Sequence, residues 1–479
     1  MKFGPHAWVS RQSETIAFGL LLAVVMLAPL PFGSNGSESM VALAGLSGIV
    51  LVLTSLAIVL EPQRFQAIPA PRLTCALIAF FVFGAWAVIQ VIPGLPGFLP
   101  HPLWAERERI LGVAQLSATI SIDPELTWAS LCKSGGYFAI GIASAYLLRG
   151  AGRRRLAYTL LAIAGGVYAA YGLIELASGD CCVVWQKKIA YNGVATGPFI
   201  NRNSFATYLG LIALVGLGYV LRELGDLRRV SAPTFTRRLA AQLRLLLAHR
   251  WLMIAVMLTA ITALLFTVSR AGTSSFLLGA SVLVLLLSQT RLLGERRRRT
   301  FHFIIFAVVA GLSLAVFGRD VLSRVSNEGV EDTYRTQSWK IMITGIEASP
   351  WLGHGFGTFP EVFPLYRDDR LPSRRYWDKA QNTYLELALD MGIPATTILL
   401  LGFGALAAQC VKGLARQRRD RRLYPSIGLA AMALIGVHSF LDFSMQIPAI
   451  ATTFAFIMGI AITESGIWRS RDPDQSSAT

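Results

Sequence analysis

Twelve apolar runs punctuate the chain, near residues 14–32, 40–60, 73–92, 131–148, 155–177, 203–221, 251–268, 272–290, 301–317, 382–409, 425–443 and 446–466. Each is close to the roughly 20 residues that carry a helix across about 30 Å of hydrocarbon. The runs lack the strict apolar/polar alternation of membrane-barrel strands, and in lipid every backbone polar group must be paired internally, so helices are expected. The pattern predicts an all-α integral membrane protein of about 12 transmembrane helices, with one large external loop between helices 9 and 10. It divides the chain into helices 1–9 over residues 1–317, a loop or cap over 318–380, and helices 10–12 with a tail over 381–479.

The polar breaks carry a second pattern. Dense basic clusters fall in alternate connections: Arg149, Arg153, Arg154 and Arg155; the run from Arg222 to Arg250; Arg296 to Arg299; and Lys412 to Arg422. By the positive-inside rule these connections and both termini are cytoplasmic. In the connection 93–130, Trp104 and the stretch from Ile110 to Leu116 beside Glu106, Arg107, Glu108 and Arg109 predict a short interfacial helix. Within 222–250, Leu239, Leu243 and Leu246 against Arg238 and Arg244 predict a helix on the inner surface. The 63-residue loop 318–380 holds nine basic and nine acidic residues and many aromatic ones. Such a composition suits carbohydrate, whose C–H faces stack on rings while its hydroxyls take hydrogen bonds, and equally suits a folded cap.

Composition narrows the class. With 54% hydrophobic and 15% charged residues and a mean hydropathy of +0.53, the chain is a membrane protein rather than a large soluble core. The net charge of +16 does not imply nucleic acid, because the basic clusters are scattered between helices without an aromatic stripe; topology and anionic membrane lipid account for it. The five cysteines, Cys75, Cys132, Cys181, Cys182 and Cys410, lack metal-ligand spacing, so neither a metal nor a cofactor is expected. Cys132 and the Cys181/Cys182 pair fall near the outer surface, where a bridge or free thiols are both compatible with the sequence. The first run has no clear cleavage site before Pro29 and Pro31, so a retained helix is expected. The halves show no internal repeat, which weakens a two-fold transporter.

Several polar residues sit where the membrane makes them costly. Arg202 stands in GPFINRNSFATYLG at the outer entrance of the sixth run, with Asn201 and Asn203 beside it. It is either a snorkelling anchor or a fixed cation aimed at a phosphate or pyrophosphate. Arg270, in TVSRAGTSS, joins two apolar runs with almost no loop, so its guanidinium calls for an anion, either a carboxylate such as Asp442 or a ligand phosphate. Arg335 and Trp339 share one face of a predicted helix. His354 lies in GHGFGTF, an exposed turn with a candidate base and no nucleotide fingerprint, since no strand precedes it. In KAQNTYLELALDMGIP, Gln381, Asn382 and Tyr384 precede Glu386 and Asp390, an i, i+4 pair of carboxylates on one face of a membrane helix. His438 and Asp442 form a second i, i+4 pair that could relay a proton or make a satisfied polar contact.

Taken in order, GPFINRN, SRAG, RTQSW followed by PWLGHGFGTF, AQNTYLELALDMGIP and HSFLDFSMQIPA resemble the O-antigen ligase and polymerase superfamily of bacterial envelope glycan assembly. The matching pieces span residues 197–448, more than half the chain. The resemblance implies a GT-C-like helical enzyme of the bacterial inner membrane, with cytoplasmic termini and a periplasmic active site. Such an enzyme moves a glycan, without metal, from undecaprenyl pyrophosphate to a hydroxyl on another glycan or on a lipid A core. It implies Arg202 and Arg270 as clamps on the departing pyrophosphate and Arg335 as a further basic contact. One departure stands out: the family often has histidine where this chain has Gln381, and an amide takes no proton at neutral pH. Glu386, His354 and His438 are then the candidate bases, unless leaving-group stabilisation alone suffices. A polysaccharide polymerase is favoured over a ligase, with a transporter or lipid flippase as the competing class.

Overall fold

The computed structural model describes residues 5–62, 65–67, 70–97, 99–112, 117–179, 182–227, 235–287, 329–368, 371, 377–416, 422–466 and 468–470. Fourteen helices lie within them: α1 (Pro5–Leu27), α2 (Ser37–Leu60), α3 (Pro71–Gln90), α4 (Leu103–Leu111), α5 (Pro124–Leu147), α6 (Ala151–Ala177), α7 (Arg202–Leu227), α8 (Phe235–Phe266), α9 (Arg270–Leu287), α10 (Gly329–Ala348), α11 (Phe359–Tyr366), α12 (Thr383–Arg416), α13 (Leu423–His438) and α14 (Pro448–Glu464). Among the described residues, seven helices are long and apolar enough to cross a membrane, and Trp251–Phe266, Leu423–His438 and Pro448–Glu464 are shorter apolar helices. The expected span 301–317 lies outside the described residues.

Element starts follow local chemistry. Pro71, Pro124 and Pro448 open α3, α5 and α14, where a missing N–H costs nothing and the fixed φ suits the first turn. Asp123 caps α5 by accepting from Leu126 N at 3.0 Å. That cap moves the start of the helix seven residues ahead of the apolar run at 131. Two other expectations are corrected. The first helix begins well before the apolar run at residue 14 and ends ahead of Pro29 and Pro31. The segment 235–250 does not form a separate surface helix, because α8 runs unbroken into the following span.

Burial divides the helices by role. Nearly every residue of α14 is buried, and the apolar stretch of α7 is almost as enclosed, so these two form the centre of the bundle. α2 keeps one face outward, with Val41, Val52 and Val59 exposed, as suits a helix turned to lipid. One end of the bundle gathers basic residues. Glu14 of α1 binds Arg149 at 3.0 Å and also Arg153, and Arg154 pairs with Glu464 at the end of α14. At this end short strands Phe65–Ala67 and Trp468–Ser470 pair antiparallel, joining the α2–α3 connection to the C-terminal segment. The opposite ends of α6, α13 and α14 lead to residues 178–207, 438–447 and the start of α7.

At that opposite end a second, smaller core stands apart from the bundle. Ile341, Met342 and Ile346 of α10, Phe359, Val362 and Phe363 of α11, and Leu389 of α12 pack with Ile122 from the connection before α5. α4 is a short helix in the connection where the sequence expects one; it touches this core through Leu103, and Ile110 and Leu111 are exposed. The two parts meet at a kink in α12, where Gly392 takes φ +77 and Pro394 follows. Pro394 has no N–H for Asp390 O, and the kink exposes neighbouring carbonyls. All are taken up from outside: Asp390 O by Gly355 N at 2.9 Å and Gln90 Nε2 at 3.0 Å, Leu389 O by His354 N at 3.1 Å, Met391 O by Trp86 Nε1 at 3.0 Å. The residues after the kink, 393–416, still extend about 36 Å at 1.5 Å per residue, enough to cross hydrocarbon. Glu386 and Asp390 therefore sit on a short segment ahead of the kink, packed against the smaller core.

Candidate functional site

Three helices begin at this end with the same local device. Asn201 Oδ1 accepts from Asn203 N at 2.7 Å, Ser269 Oγ from Gly272 N at 3.1 Å, and Asn382 Oδ1 from Tyr384 N and Leu385 N, both at 3.1 Å. These are N-caps, and a helix N-terminus favours anions through its free N–H groups and dipole. Directly after the first two caps come Arg202 and Arg270, each partly buried. Val268, just ahead of Ser269, holds φ +51, a left-handed conformation that is strained for a β-branched residue. The strained link sets the direction in which α9 and Arg270 leave the turn.

The helix starts are tied together by polar side chains. Asn203 Nδ2 donates to Asp442 Oδ2 at 2.8 Å, and Ser269 Oγ donates to Asn203 Oδ1 at 2.8 Å. One amide thus links α7, α9 and the α13–α14 connection. Asp442 Oδ1 accepts from Phe443 N at 2.8 Å and Ser444 Oγ at 3.0 Å, and Asp442 O accepts from Thr383 Oγ1 at 3.0 Å. The carboxylate expected as a counter-charge for Arg270 is therefore held by neutral donors instead. Arg202 stacks over the Tyr191 ring at 5.6 Å, and its Nε is buried with no hydrogen-bond partner among the described residues. A guanidinium whose Nε is buried and unpartnered, with no carboxylate partner among the described residues, suits an incoming phosphoryl oxygen.

His438 and Asp442 do not form the expected helical pair. α13 ends at His438, so Asp442 lies in the following turn. The two are connected indirectly: His438 Nε2 lies 3.2 Å from Thr207 Oγ1, which lies 3.0 Å from Ser444 Oγ, the donor to Asp442. His438 is fully buried. Tyr384 pins α12 to α13 by donating to Gly436 O at 2.7 Å and by a ring contact with Phe440 at 4.4 Å. Glu386 is buried, accepts from Ala380 N at 2.8 Å and binds the Gln446 side chain. Gln381 sits partly buried one residue ahead of the Asn382 cap.

Other predicted residues lie in the smaller core. Trp339 packs against it from α10, and Arg335 belongs to the same helix, its side chain outside the described set. His354, expected on an exposed turn, is 1% exposed. Its surroundings fix its tautomer. His354 Nε2 lies 2.9 Å from Gly345 O, so it carries the proton, and Nδ1 is left to accept from His101 Nε2 at 2.9 Å. His101 Nδ1 in turn accepts from Leu103 N at 3.3 Å. Every ring nitrogen has one role, and a proton added to either ring would set donor against donor. Burial, then His354 and Arg107, lower His101 to about 4, and burial lowers His354, partly offset by Gly345. An unfolded histidine titrates near 6.5, so between roughly pH 6.5 and 4 the unfolded chain binds protons that the folded one refuses. Stability is therefore expected to fall as pH drops through that window. Melting curves in detergent from pH 7.5 to 4.5 check it: His101→Asn should flatten the decline, and an unchanged slope would count against the neutral pair.

Sequence reasoning passed over Thr207, Ser269, Thr383 and Ser444, small hydroxyls whose partners lie on other helices. Ser269 alone had a local signal, as a serine just ahead of an apolar helix. Cys132 is exposed on α5 and Cys182 lies in a two-residue strand, while Cys181 is outside the described residues.

Capped helix starts bearing two arginines, within a bundle of membrane-length helices, define a multi-pass membrane protein with an anion-ready site at one end. Residues 255–400 match the family model described as O-antigen ligase, a match that supports the resemblance to the O-antigen ligase and polymerase superfamily. The matched stretch contains Arg270, the GHGFG turn and Glu386; Arg202, His438 and Asp442 lie outside it. A search of curated proteins returned no match.

Proposed function

We propose that the protein transfers a glycan from undecaprenyl pyrophosphate to a sugar hydroxyl at the periplasmic face of a bacterial inner membrane, as a polysaccharide polymerase. The observation that supports this reading is the Asn203–Ser269 bond, which ties the start of α7, where Arg202 stands, to the start of α9, where Arg270 stands. In the reaction, the acceptor oxygen attacks the anomeric carbon, the carbon–oxygen bond to pyrophosphate breaks, and configuration inverts. The two guanidiniums and the helix N-termini take up charge developing on the leaving group, the kind of fixed electrostatic contribution that often dominates catalysis. The acceptor proton passes to Glu386, or through the buried His438 network. No step requires a metal. Asn201, Asn203 and Asp442 keep the clamp in position, Gln381, Asn382 and Tyr384 form the wall beside Glu386, and Arg335, Trp339 and His354 belong to the cap under which the glycan lies.

The family description itself supports a second reading, a ligase that delivers glycan to a lipid A core. Incubating purified protein with carrier-linked oligosaccharide, with and without lipid A core, separates the readings. Longer glycans together with free undecaprenyl pyrophosphate are expected for a polymerase, and product only with the core for a ligase. Movement of the carrier-linked glycan without covalent change would point to a transporter and overturn both.

A further inference from the structure

We infer that the buried Glu175–Lys188 ion pair positions Arg202, by fastening the segment 188–201 to α6 so that Tyr191 is held against the guanidinium. This rests on the glycan-transfer reading above. Glu175 stands in the last turn of α6, and Lys188 directly follows the short strand Gln186–Lys187. Both side chains are buried, and Lys188 Nζ lies 2.8 Å from Glu175 Oε1. Each charge also grips the segment that leads into α7. Lys188 Nζ donates to Val194 O at 2.8 Å, Thr196 Oγ1 donates to Glu175 Oε1 at 3.3 Å, and Gly197 N donates to Glu175 Oε2 at 3.1 Å. Gly172, one turn before Glu175 on the same face, lets the segment lie close against the helix. A Cβ at Gly172 would come within 3.2 Å of Gly197 Cα and 2.7 Å of the Phe205 ring.

The fastened segment touches the approaches to both arginines. Tyr191 holds φ +58, and the Arg202 guanidinium stands 5.6 Å from its ring centre. Ala195 N donates to Phe266 O at 2.9 Å, at the end of α8 and shortly ahead of Arg270. A carboxylate on an apolar helix is costly, and charged residues in such places are functional candidates by default. A buried ion pair adds little net stability over an apolar pair of similar volume, because desolvation offsets the attraction. What it supplies here is a single arrangement of the segment. A left-handed residue such as Tyr191 keeps its conformation only where its surroundings over-determine it, and the pair provides that constraint. Glu175 and Lys188 thus act on Arg202 through Tyr191 and touch no substrate themselves.

The test compares full-length wild type with Glu175→Gln, Lys188→Met, the Glu175→Gln/Lys188→Met double variant, Tyr191→Ala and the triple variant, in detergent, at equal amounts of monodisperse protein. Melting curves report folding, and elongation of carrier-linked oligosaccharide gives kcat and KM. Each single change at the pair takes the opposite charge away from a buried group and should lower the melting temperature; the double variant removes both charges and should recover most of it. Despite that recovery, the double variant is expected to keep kcat about tenfold below wild type, with KM for the donor within about twofold. Tyr191→Ala, at an exposed position, should lower kcat to a similar extent without changing the melting temperature. Adding the double substitution to it should cost less than about twofold more, because residues acting through one path are not additive. Wild-type kcat in the double variant or in Tyr191→Ala overturns the proposal. So does a raised KM at unchanged kcat, an undiminished loss in the Tyr191→Ala background, or failure of all three pair variants to give monodisperse protein, which would make the pair a folding element only. Absence of elongation by the wild-type protein overturns the transfer reading itself, and this proposal with it.

Discussion

Replacing Arg202 or Arg270 with alanine is expected to abolish chain extension, or cut it by about 10²–10³-fold, the effect of deleting one fixed donor to a developing anion. Protein levels in the membrane should stay near wild type. Arg202 makes a ring contact with Tyr191 and no described ion pair, so its removal leaves no buried carboxylate without a partner. The fold around it is held by the Asn201 cap and the Asn203–Asp442 bond, which the substitution leaves in place. Lysine should rescue either position only in part, because an ammonium keeps the charge and loses the planar fork that holds two phosphoryl oxygens. The measurement is polymer length on a gel beside release of undecaprenyl pyrophosphate. Wild-type polymer from either alanine variant would refute the clamp.

Gly353→Ala is expected to be the most destabilising single change in the cap, at about 3 kcal/mol or more, with a lowered melting temperature and reduced yield. Gly353 holds φ +71, and a Cβ there would lie 2.3 Å from Asp390 O and 2.6 Å from Gly392 N. Both are backbone atoms that cannot turn aside. The clash falls where the GHGFG turn supplies N–H groups to the carbonyls freed by the α12 kink, so separation at this point also leaves buried acceptors unpaired. Gly392→Ala meets Trp351 O at 2.5 Å and should behave alike. Gly112 is the control: its φ is +62 and nothing lies within 4 Å, so Gly112→Ala should cost only the backbone term, about 1 kcal/mol. Equal melting temperatures for Gly353→Ala and Gly112→Ala would show that the turn is not packed against the kink.

Much of this was legible in sequence, and the misses have a common cause. The apolar run 155–177 and helix Ala151–Ala177 end at the same residue, because lipid leaves a chain few alternatives to a helix. Asn201, Ser269 and Asn382 could be read as caps, since capping is a contact over two or three residues. His354 was expected outside and lies inside, because its burial depends on His101, 253 positions away. His438 and Asp442 were expected as one helical pair, yet α13 stops at His438, where the chain turns so that Thr383 and Asn203 can reach Asp442.

By itself the sequence determined the helical class, the apolar runs and the residue types available for anion and proton chemistry. These are properties of short windows, where hydrophobic length and local capping decide. Only the tertiary structure decided which polar ends meet: Asn203 with Asp442 across 239 positions, Thr207 with His438 across 231, the GHGFG turn with the kink. Between helices in lipid no hydrophobic gradient selects partners, and small residues and interhelical hydrogen bonds make the choice. Those contacts depend on how the whole bundle closes, and no local pattern encodes them.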